Sequence, residues 1–202
     1  QGEAKCAISL FSGGGGLDIG VERAGYRTLA CIEKDVNCCE TLKQNQPQHF
    51  AHATIINADV NDVDVTDLMC GLGIQAGQLD LLFGGPPCQT FSQIGKQDSL
   101  QDERGKLLFT MVKYARLLEP KAVLIENVAG MAMRFGNGST SPAFELAAAL
   151  KRFGYDARIA LLNARDHGVA QHRPRIMIVG FARSPQDPQW SEDDLYLRLP
   201  PT

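Results

Sequence analysis

Short apolar runs rich in β-branched residues alternate along the chain with longer segments whose apolar positions recur every three or four residues. Residues 5–11 form the first apolar run, which stops at Ser12-Gly13-Gly14-Gly15-Gly16. Leu17, Val21 and Ala24 then sit at helical spacing, and Gly25 ends that pattern. Residues 26–32 read as a second strand ending at Glu33, and Asp35 is placed to cap a helix running through Gln44. A third strand is expected over 51–56, leading to Asp59. Residues 71–78 read as a plain loop, and 79–83 as a fourth strand that runs into Gly84-Gly85-Pro86-Pro87-Cys88. A helix over 106–118 is closed by Pro120, and 122–125 is a fifth strand. Ser141-Pro142 pairs a cap with proline at the first helical position, opening a helix that ends at Gly154. Residues 155–162 and 176–181 are the last strands. This alternation predicts an α/β domain with a mainly parallel sheet and right-handed crossovers. In such sheets ligands bind at the C-terminal strand edge, and the chemically distinctive residues here all follow strands.

Composition narrows the class. The chain has 202 residues, 44% hydrophobic and 21% charged, with a formal net charge of −3. That is the make-up of a globular protein able to bury a core, not of a disordered tail. The charge balance excludes a protein held on nucleic acid by bulk charge alone. It is uneven, however: residues 51–95 hold five aspartates and no Lys or Arg, whereas 151–183 hold seven basic residues against Asp156 and Asp166. The second stretch reads as a solvated face or as a patch for phosphates. No apolar run approaches the roughly 18 residues of a membrane helix. The six cysteines show no C-x-x-C spacing, so neither a zinc site nor a disulfide framework is expected. Free thiols in apolar runs point to a reduced, cytoplasmic setting.

Four segments carry candidate chemistry. Consecutive glycines between a strand and a helix let backbone N–H groups approach a ligand closely. The dinucleotide fingerprint fails, because its last glycine position is Asp18, which disfavours a nicotinamide cofactor. Glu33 is placed to accept ribose hydroxyls and Asp59 an adenine amine, so a nucleoside ligand is favoured over a tight turn with two surface carboxylates. In the second segment, Pro86-Pro87 stiffens the turn that presents Cys88, which reads as a nucleophile or as a spacer. In the third, Glu126 ends an apolar strand, where desolvation would favour the neutral acid that can donate to a ring nitrogen; the plainer reading is a strand-end cap. In the fourth, Arg173 and Arg175, one residue apart in an extended segment, project to one side and can clamp a carbonyl oxygen and a phosphate, or be solvated.

Taken in order, FSGGGG, Glu33, Asp59, GGPPCQTFS, IENV and QHRPR resemble the cytosine-5 DNA methyltransferase family over nearly the whole chain, from Leu10 to Phe181. The resemblance implies a Rossmann-like methyltransferase of the S-adenosylmethionine-dependent kind, with a mostly parallel sheet and an antiparallel final strand. It implies one catalytic domain over 1–183 and a tail over 184–202. S-adenosylmethionine would be held by Phe11, Ser12, Gly13, Gly14, Gly16, Leu17, Glu33, Asp59 and Val60, with Pro86 and Leu107 closing the pocket. Cys88, Glu126, Arg173 and Arg175 would be catalytic. Gln89, Ser92, Lys96 and Arg104 belong to a stretch resembling the family's mobile DNA-contacting loop. The expected partner is double-stranded DNA, with no metal and no membrane.

Members of the family normally continue into a target-recognition segment and a closing helix, which this sequence lacks; a fragment, or one subunit of a split enzyme, is therefore expected. A transfer-RNA methyltransferase keeps the same chemistry. A non-catalytic regulatory homologue is opposed by the intact Cys88, Glu126 and Arg173. A cysteine hydrolase is opposed by the lack of a histidine placed as a base.

Overall fold

Each strand of this chain is short and bounded by a turn or capping residue, and the helices between them bury one face. The computed structural model describes residues 5–87, 103–132 and 140–183. The strands are β1 (Lys5–Leu10), β2 (Tyr26–Glu33), β3 (Thr54–Asn57), β4 (Leu81–Gly84), β5 (Ala122–Val128), β6 (Tyr155–Asn163) and β7 (Pro174–Ala182). They form one sheet in the order β3-β2-β1-β4-β5-β7-β6. The β1–β2, β1–β4 and β2–β3 pairs are parallel, and β6–β7 is antiparallel. The helices are α1 (Gly16–Arg23), α2 (Val36–Asn45), α3 (Val65–Leu72), α4 (Glu103–Leu118) and α5 (Pro142–Arg152). The α/β architecture and the antiparallel last strand agree with the pattern read from the sequence.

The local signals act as their chemistry requires. Asp35 caps α2 by accepting from the Cys38 N–H at 2.9 Å, which also holds its carboxyl below the ordinary range. Ser141 caps α5, with Pro142 at the first helical position. Two expectations are revised. The third strand starts at Thr54 rather than 51, because Phe50 takes a positive φ of 55° and its carbonyl accepts from the Ala53 N–H, closing a turn. Residues 71 and 72 are not loop but the last turn of α3. That helix is opened by Asp64, whose carboxylate accepts from the Thr66 and Asp67 N–H groups, and stopped by Gly73 at φ +66°.

The chain divides into two compact units, one made of Gln1–Gly85 with Lys113–Ala122 and the other of Pro86–Val112 with Val123–Thr202. In the first, Ile8, Leu10, Ile32, Leu82 and Phe83 are fully buried, and Cys31, Leu42, Phe50 and Ala53 form a cluster backed by Ile19 and Ile55. Residues 113–122 are stitched into this unit by polar bonds. The Tyr114 hydroxyl donates to the Val60 carbonyl at 2.8 Å, the Lys121 ammonium pairs with Asp80 at 2.8 Å, and the Gly77 N–H donates to the Leu118 carbonyl. In the second unit α5 buries Ala143, Leu146, Ala147, Ala149 and Leu150, the helical stripe that its spacing dictates; Ile159, Ile176 and Ile178 of the β6–β7 pair are buried too.

Candidate functional site

One group of candidate residues lies in the turn after β1, within the first unit. Phe11 has φ +56°, a conformation that costs a bulky residue about 1–2 kcal/mol and is kept only where its surroundings enforce it. Two bonds do so on either side: the Ser12 N–H reaches the Ile32 carbonyl at 3.4 Å, and the Gly15 N–H closes on the Ser12 carbonyl at 3.0 Å. The buried Ser12 hydroxyl donates to the Ser9 hydroxyl at 2.8 Å. Gly15, at φ +86°, precedes α1 as its cap without a side-chain bond, so the first helical N–H groups, those of Gly16 and Leu17, are not covered by a cap side chain. A Cβ on Gly13 or Gly16 would meet nothing within 4 Å, and one on Gly14 only Thr41 Cγ2 at 3.9 Å. Three glycines thus face open space, while Gly15 faces the core.

Glu33, at the end of β2, braces this turn. Its Oε2 accepts from the Gly13 N–H at 2.8 Å and its Oε1 from the Asp35 N–H at 2.9 Å. A carboxylate has about four lone-pair positions, so acceptor capacity remains for a hydroxyl. Asn57 donates to the Glu33 and Lys34 carbonyls at 3.1 and 3.0 Å, fixing the strand end against β3. Asp59 follows β3. Its Oδ1 accepts from the backbone and side chain of Asn61, and its Oδ2 lies 3.8 Å from the Lys34 ammonium. Val60 is buried and held through its carbonyl by Tyr114, whose burial pushes its hydroxyl pKa up to about 12. Asn57 and Tyr114 are positioning groups that sequence reasoning missed, because a polar side chain gives no sign in the sequence of which distant carbonyl it meets.

Asp18, the residue that breaks the dinucleotide fingerprint, is fully buried. Its Oδ1 accepts from the Cys31 thiol at 3.5 Å, while Oδ2 has no partner among the described residues. Burial pushes its pKa above the ordinary carboxyl range, and burial also raises the Cys31 thiol. A carboxyl raised on folding leaves stability intact below its unfolded pKa of about 3.9 and erodes it as pH climbs through the folded value. Asp18→Asn is therefore expected to melt above wild type at neutral pH, with the gap closing below about pH 4. Melting curves across pH check this; a pH-independent difference would refute it.

A separate group of candidate residues lies in the other unit. Pro86 is buried, and its carbonyl accepts from the Asn127 side-chain amide at 2.9 Å. Glu126, near the end of β5, is ion-paired: Arg175 Nε lies 2.8 Å from its Oε1, with the two side chains 21% and 27% exposed. Arg175 also donates to the Pro174 carbonyl. This revises the expected setting of both residues. Glu126 faces a guanidinium at the end of its apolar strand, and Arg175 pairs with Glu126 rather than standing solvated beside Arg173. Arg173 is exposed at the head of β7, where Asn163 Oδ1 accepts from its N–H at 3.0 Å and its carbonyl accepts from the Ala164 N–H. Leu107 lies half-buried on α4. Cys88, Gln89, Ser92 and Lys96 lie outside the described residues, as does the side chain of Arg104. Among the described residues no group of three or more His, Cys, Asp or Glu could hold a metal, and no helix is long and apolar enough to cross a membrane. Five cysteines (Cys6, Cys31, Cys38, Cys39 and Cys70) are free thiols.

The family model for C-5 cytosine-specific DNA methylases matches residues 6–197. The chain belongs to that family. Type II methyltransferase M.AquIA of Picosynechococcus sp. is 37% identical over 182 residues, which cover 87% of this chain and 71% of the relative. M.NgoPII of Neisseria gonorrhoeae is 36% identical over 87% of this methylase-family chain, and M.FnuDI of Fusobacterium nucleatum is similar to the same extent. The chain spans only 48% and 46% of those two relatives. Among solved structures, a DNA modification methyltransferase from an E. coli prophage superposes with a TM-score of 0.72 at 26% identity, over 88% of this chain and 47% of that one. Spodoptera frugiperda DNMT2 shares the fold, with a TM-score of 0.69 at 20% identity over 97% of this chain and 55% of its own. The motifs read from the sequence fall within the family match.

Proposed function

We propose that this chain carries the catalytic region of a DNA cytosine-5 methyltransferase, using S-adenosylmethionine and a transient bond from Cys88 to the base. The observation that carries the reading is the Glu126–Arg175 pair at the end of β5, in the same unit as the Pro86-Pro87 turn that leads to Cys88. Family membership supports it.

The turn after β1 fits the cofactor. Gly13, Gly14 and Gly16 offer open backbone, Phe11 offers a half-buried ring, and Glu33 keeps lone pairs for a ribose hydroxyl. Gly13, Gly14, Gly16 and Leu17 with Ser12 would line the methionine part. Asp59 and Val60 would meet the adenine, while Pro86 and Leu107, in the other unit, are assigned to the cofactor on the family resemblance alone. When bound, S-adenosylmethionine supplies a methyl group on a sulfonium sulfur.

Carbon 5 of cytosine is too weak a nucleophile for that methyl group until the ring is activated. Addition of the Cys88 thiolate at carbon 6 converts the ring to an enamine and puts electron density on carbon 5. Glu126 bonds or protonates ring nitrogen 3 and orients the exocyclic amine. Arg175 pairs with that carboxyl, and the exposed Arg173 is left to meet the carbonyl oxygen at position 2. Once carbon 5 bears the methyl group, its hydrogen leaves as a proton to solvent, any proton on ring nitrogen 3 returns to Glu126, and the bond from sulfur to carbon 6 breaks, restoring the aromatic base and the thiolate. A stacked base is out of reach, so the cytosine must leave the duplex. Gln89, Ser92, Lys96 and Arg104 are assigned to DNA contact. The Type II names of the relatives support a place in restriction–modification.

The test is a covalent trap. A mixed-sequence duplex with 5-fluorocytosine in place of cytosine blocks the final elimination. The wild-type chain with S-adenosylmethionine is expected to form a denaturation-resistant adduct that mass spectrometry maps to Cys88, and Cys88→Ser none. No adduct despite measured cofactor and DNA binding would overturn the enzyme reading in favour of a regulatory homologue. Methyl transfer to transfer RNA in preference to duplex DNA would overturn the substrate.

A further inference from the structure

The reaction proposed above makes no use of Asp18, although an enclosed carboxyl is costly to keep. The side chain is 0% exposed, on the first turn of α1, two residues after Gly16 and so about 3 Å further along the helix axis. The Cys31 thiol donates to its Oδ1 at 3.5 Å, and Oδ2 has no partner among the described residues. Cys31 of β2 is the register partner of Ser9 on β1, which sets the two side chains next to each other on one face of the sheet. The Ser9 hydroxyl accepts from that of Ser12, in the glycine turn itself. Four buried polar side chains, those of Asp18, Cys31, Ser9 and Ser12, thus run from the first turn of α1 to the turn after β1.

This run is short of positive charge. The titratable groups around it are Cys31 from β2, Glu22 one turn further along α1, and Glu33, which accepts from the Gly13 N–H. Glu22 is itself engaged, accepting from the Phe50 N–H at 2.9 Å. Ser9 from β1 and Ser12 from the turn are uncharged. None of these groups is a cation that would offset an ionised Asp18, and burial accordingly favours its neutral form. A ligand cation seated on the open backbone of Gly13, Gly14 and Gly16 would be the missing charge. The methyl donor is such a ligand. Its sulfur is a sulfonium, whereas the sulfur left after methyl transfer is a neutral thioether, so donor and product differ by one methyl group and one unit of charge.

We infer that Asp18 makes the glycine turn selective for the charged methyl donor over its product. This rests on the reading that S-adenosylmethionine binds at that turn. With the sulfonium in place the carboxyl gives up its proton to solvent, and the two opposite charges attract. With the thioether in place the carboxyl stays neutral and contributes nothing. Opposite charges several ångströms apart at a protein site are worth on the order of tenfold in affinity. Selectivity is a difference between two affinities, and only the donor's depends on this charge. A purely structural Asp18 would instead change the fraction of folded protein and alter the binding of both ligands alike.

The experiment titrates the whole chain calorimetrically with S-adenosylmethionine and, separately, with S-adenosylhomocysteine. It runs between about pH 5 and 7, where the amine of either ligand stays protonated. Two buffers of different ionisation enthalpy at each pH count the protons exchanged. The wild-type chain is expected to release protons on binding the donor and few on binding the product, so that the donor's Kd falls as pH rises while the product's stays level. Asp18→Asn keeps the shape and removes the charge. In it the donor's advantage over the product should shrink about tenfold and lose its pH slope, with the product's Kd within about twofold of wild type. Equal proton release with the two ligands in wild type would overturn the inference without recourse to any variant, and so would an unchanged donor-to-product ratio in folded Asp18→Asn. Failure of the folded wild-type chain to bind either ligand is the distinct outcome that removes the cofactor reading and this role together.

Discussion

Glu126→Gln is expected to lower methyl transfer by about 10²- to 10⁴-fold, the range that a positioned acid or base supplies. Two losses combine in this variant. Glutamine cannot deliver a proton to ring nitrogen 3, and its neutral amide no longer balances the Arg175 guanidinium that now lies 2.8 Å from the carboxylate. Steady-state kinetics separate these effects. Loss of chemistry lowers kcat, whereas a base that binds but sits badly also raises KM. If Arg175 acts through Glu126, Arg175→Met lowers kcat on its own and adds little in the double variant, since the two side chains work as one unit. Near wild-type turnover in Glu126→Gln would show that the residue carries no proton in the reaction.

Gly15→Ala is expected to cost several kcal/mol of stability. A Cβ there would lie 2.8 Å from Leu42 Cδ2 and 3.0 Å from Phe50 Cζ, and both side chains are fully enclosed in the cluster with Cys31 and Ala53. Neither can retreat without displacing the other, and such overpacking costs about 1–3 kcal/mol. The φ of +86° adds about 1–2 kcal/mol of backbone strain for any residue with a Cβ. For a chain of this size the melting temperature should fall by on the order of 10 °C. Gly16→Ala is the control, because its Cβ meets nothing within 4 Å and its φ is not positive. Thermal melts of the two variants side by side decide the matter, and equal melting points would refute the argument.

What the sequence could show was whatever is encoded locally. Asp35, Ser141-Pro142, Gly25 and Gly154 bounded their helices because caps and positive-φ glycines act within a few residues. Helix α3 carried the same kind of signal, with Asp64 before Val65 and Leu68 at helical spacing and Gly73 behind, but eight residues interrupted by Thr66 and Asp67 make a weak pattern. The start of β3 depended on Phe50 turning the chain with φ +55°, a conformation that an aromatic residue does not advertise. At the site, Glu33 and the glycines were legible because strand ends and turns are local features. The commitment of Arg175 to Glu126 was not, because it depends on how β5 and β7 are placed in the sheet. Asp18, Tyr114 and Asn127 were invisible for the same reason: burial of a polar side chain is decided by partners distant in sequence.

The stitching of residues 113–122 into the first unit has a consequence for biosynthesis. Most of that unit precedes residue 86, yet the hydroxyl that satisfies the Val60 carbonyl and the ammonium that balances Asp80 belong to Tyr114 and Lys121. A nascent chain cannot complete this half when residue 85 leaves the ribosome. It must wait for the intervening stretch, and any pause in translation before codon 122 holds the early strands open, with buried-to-be carbonyls still solvated.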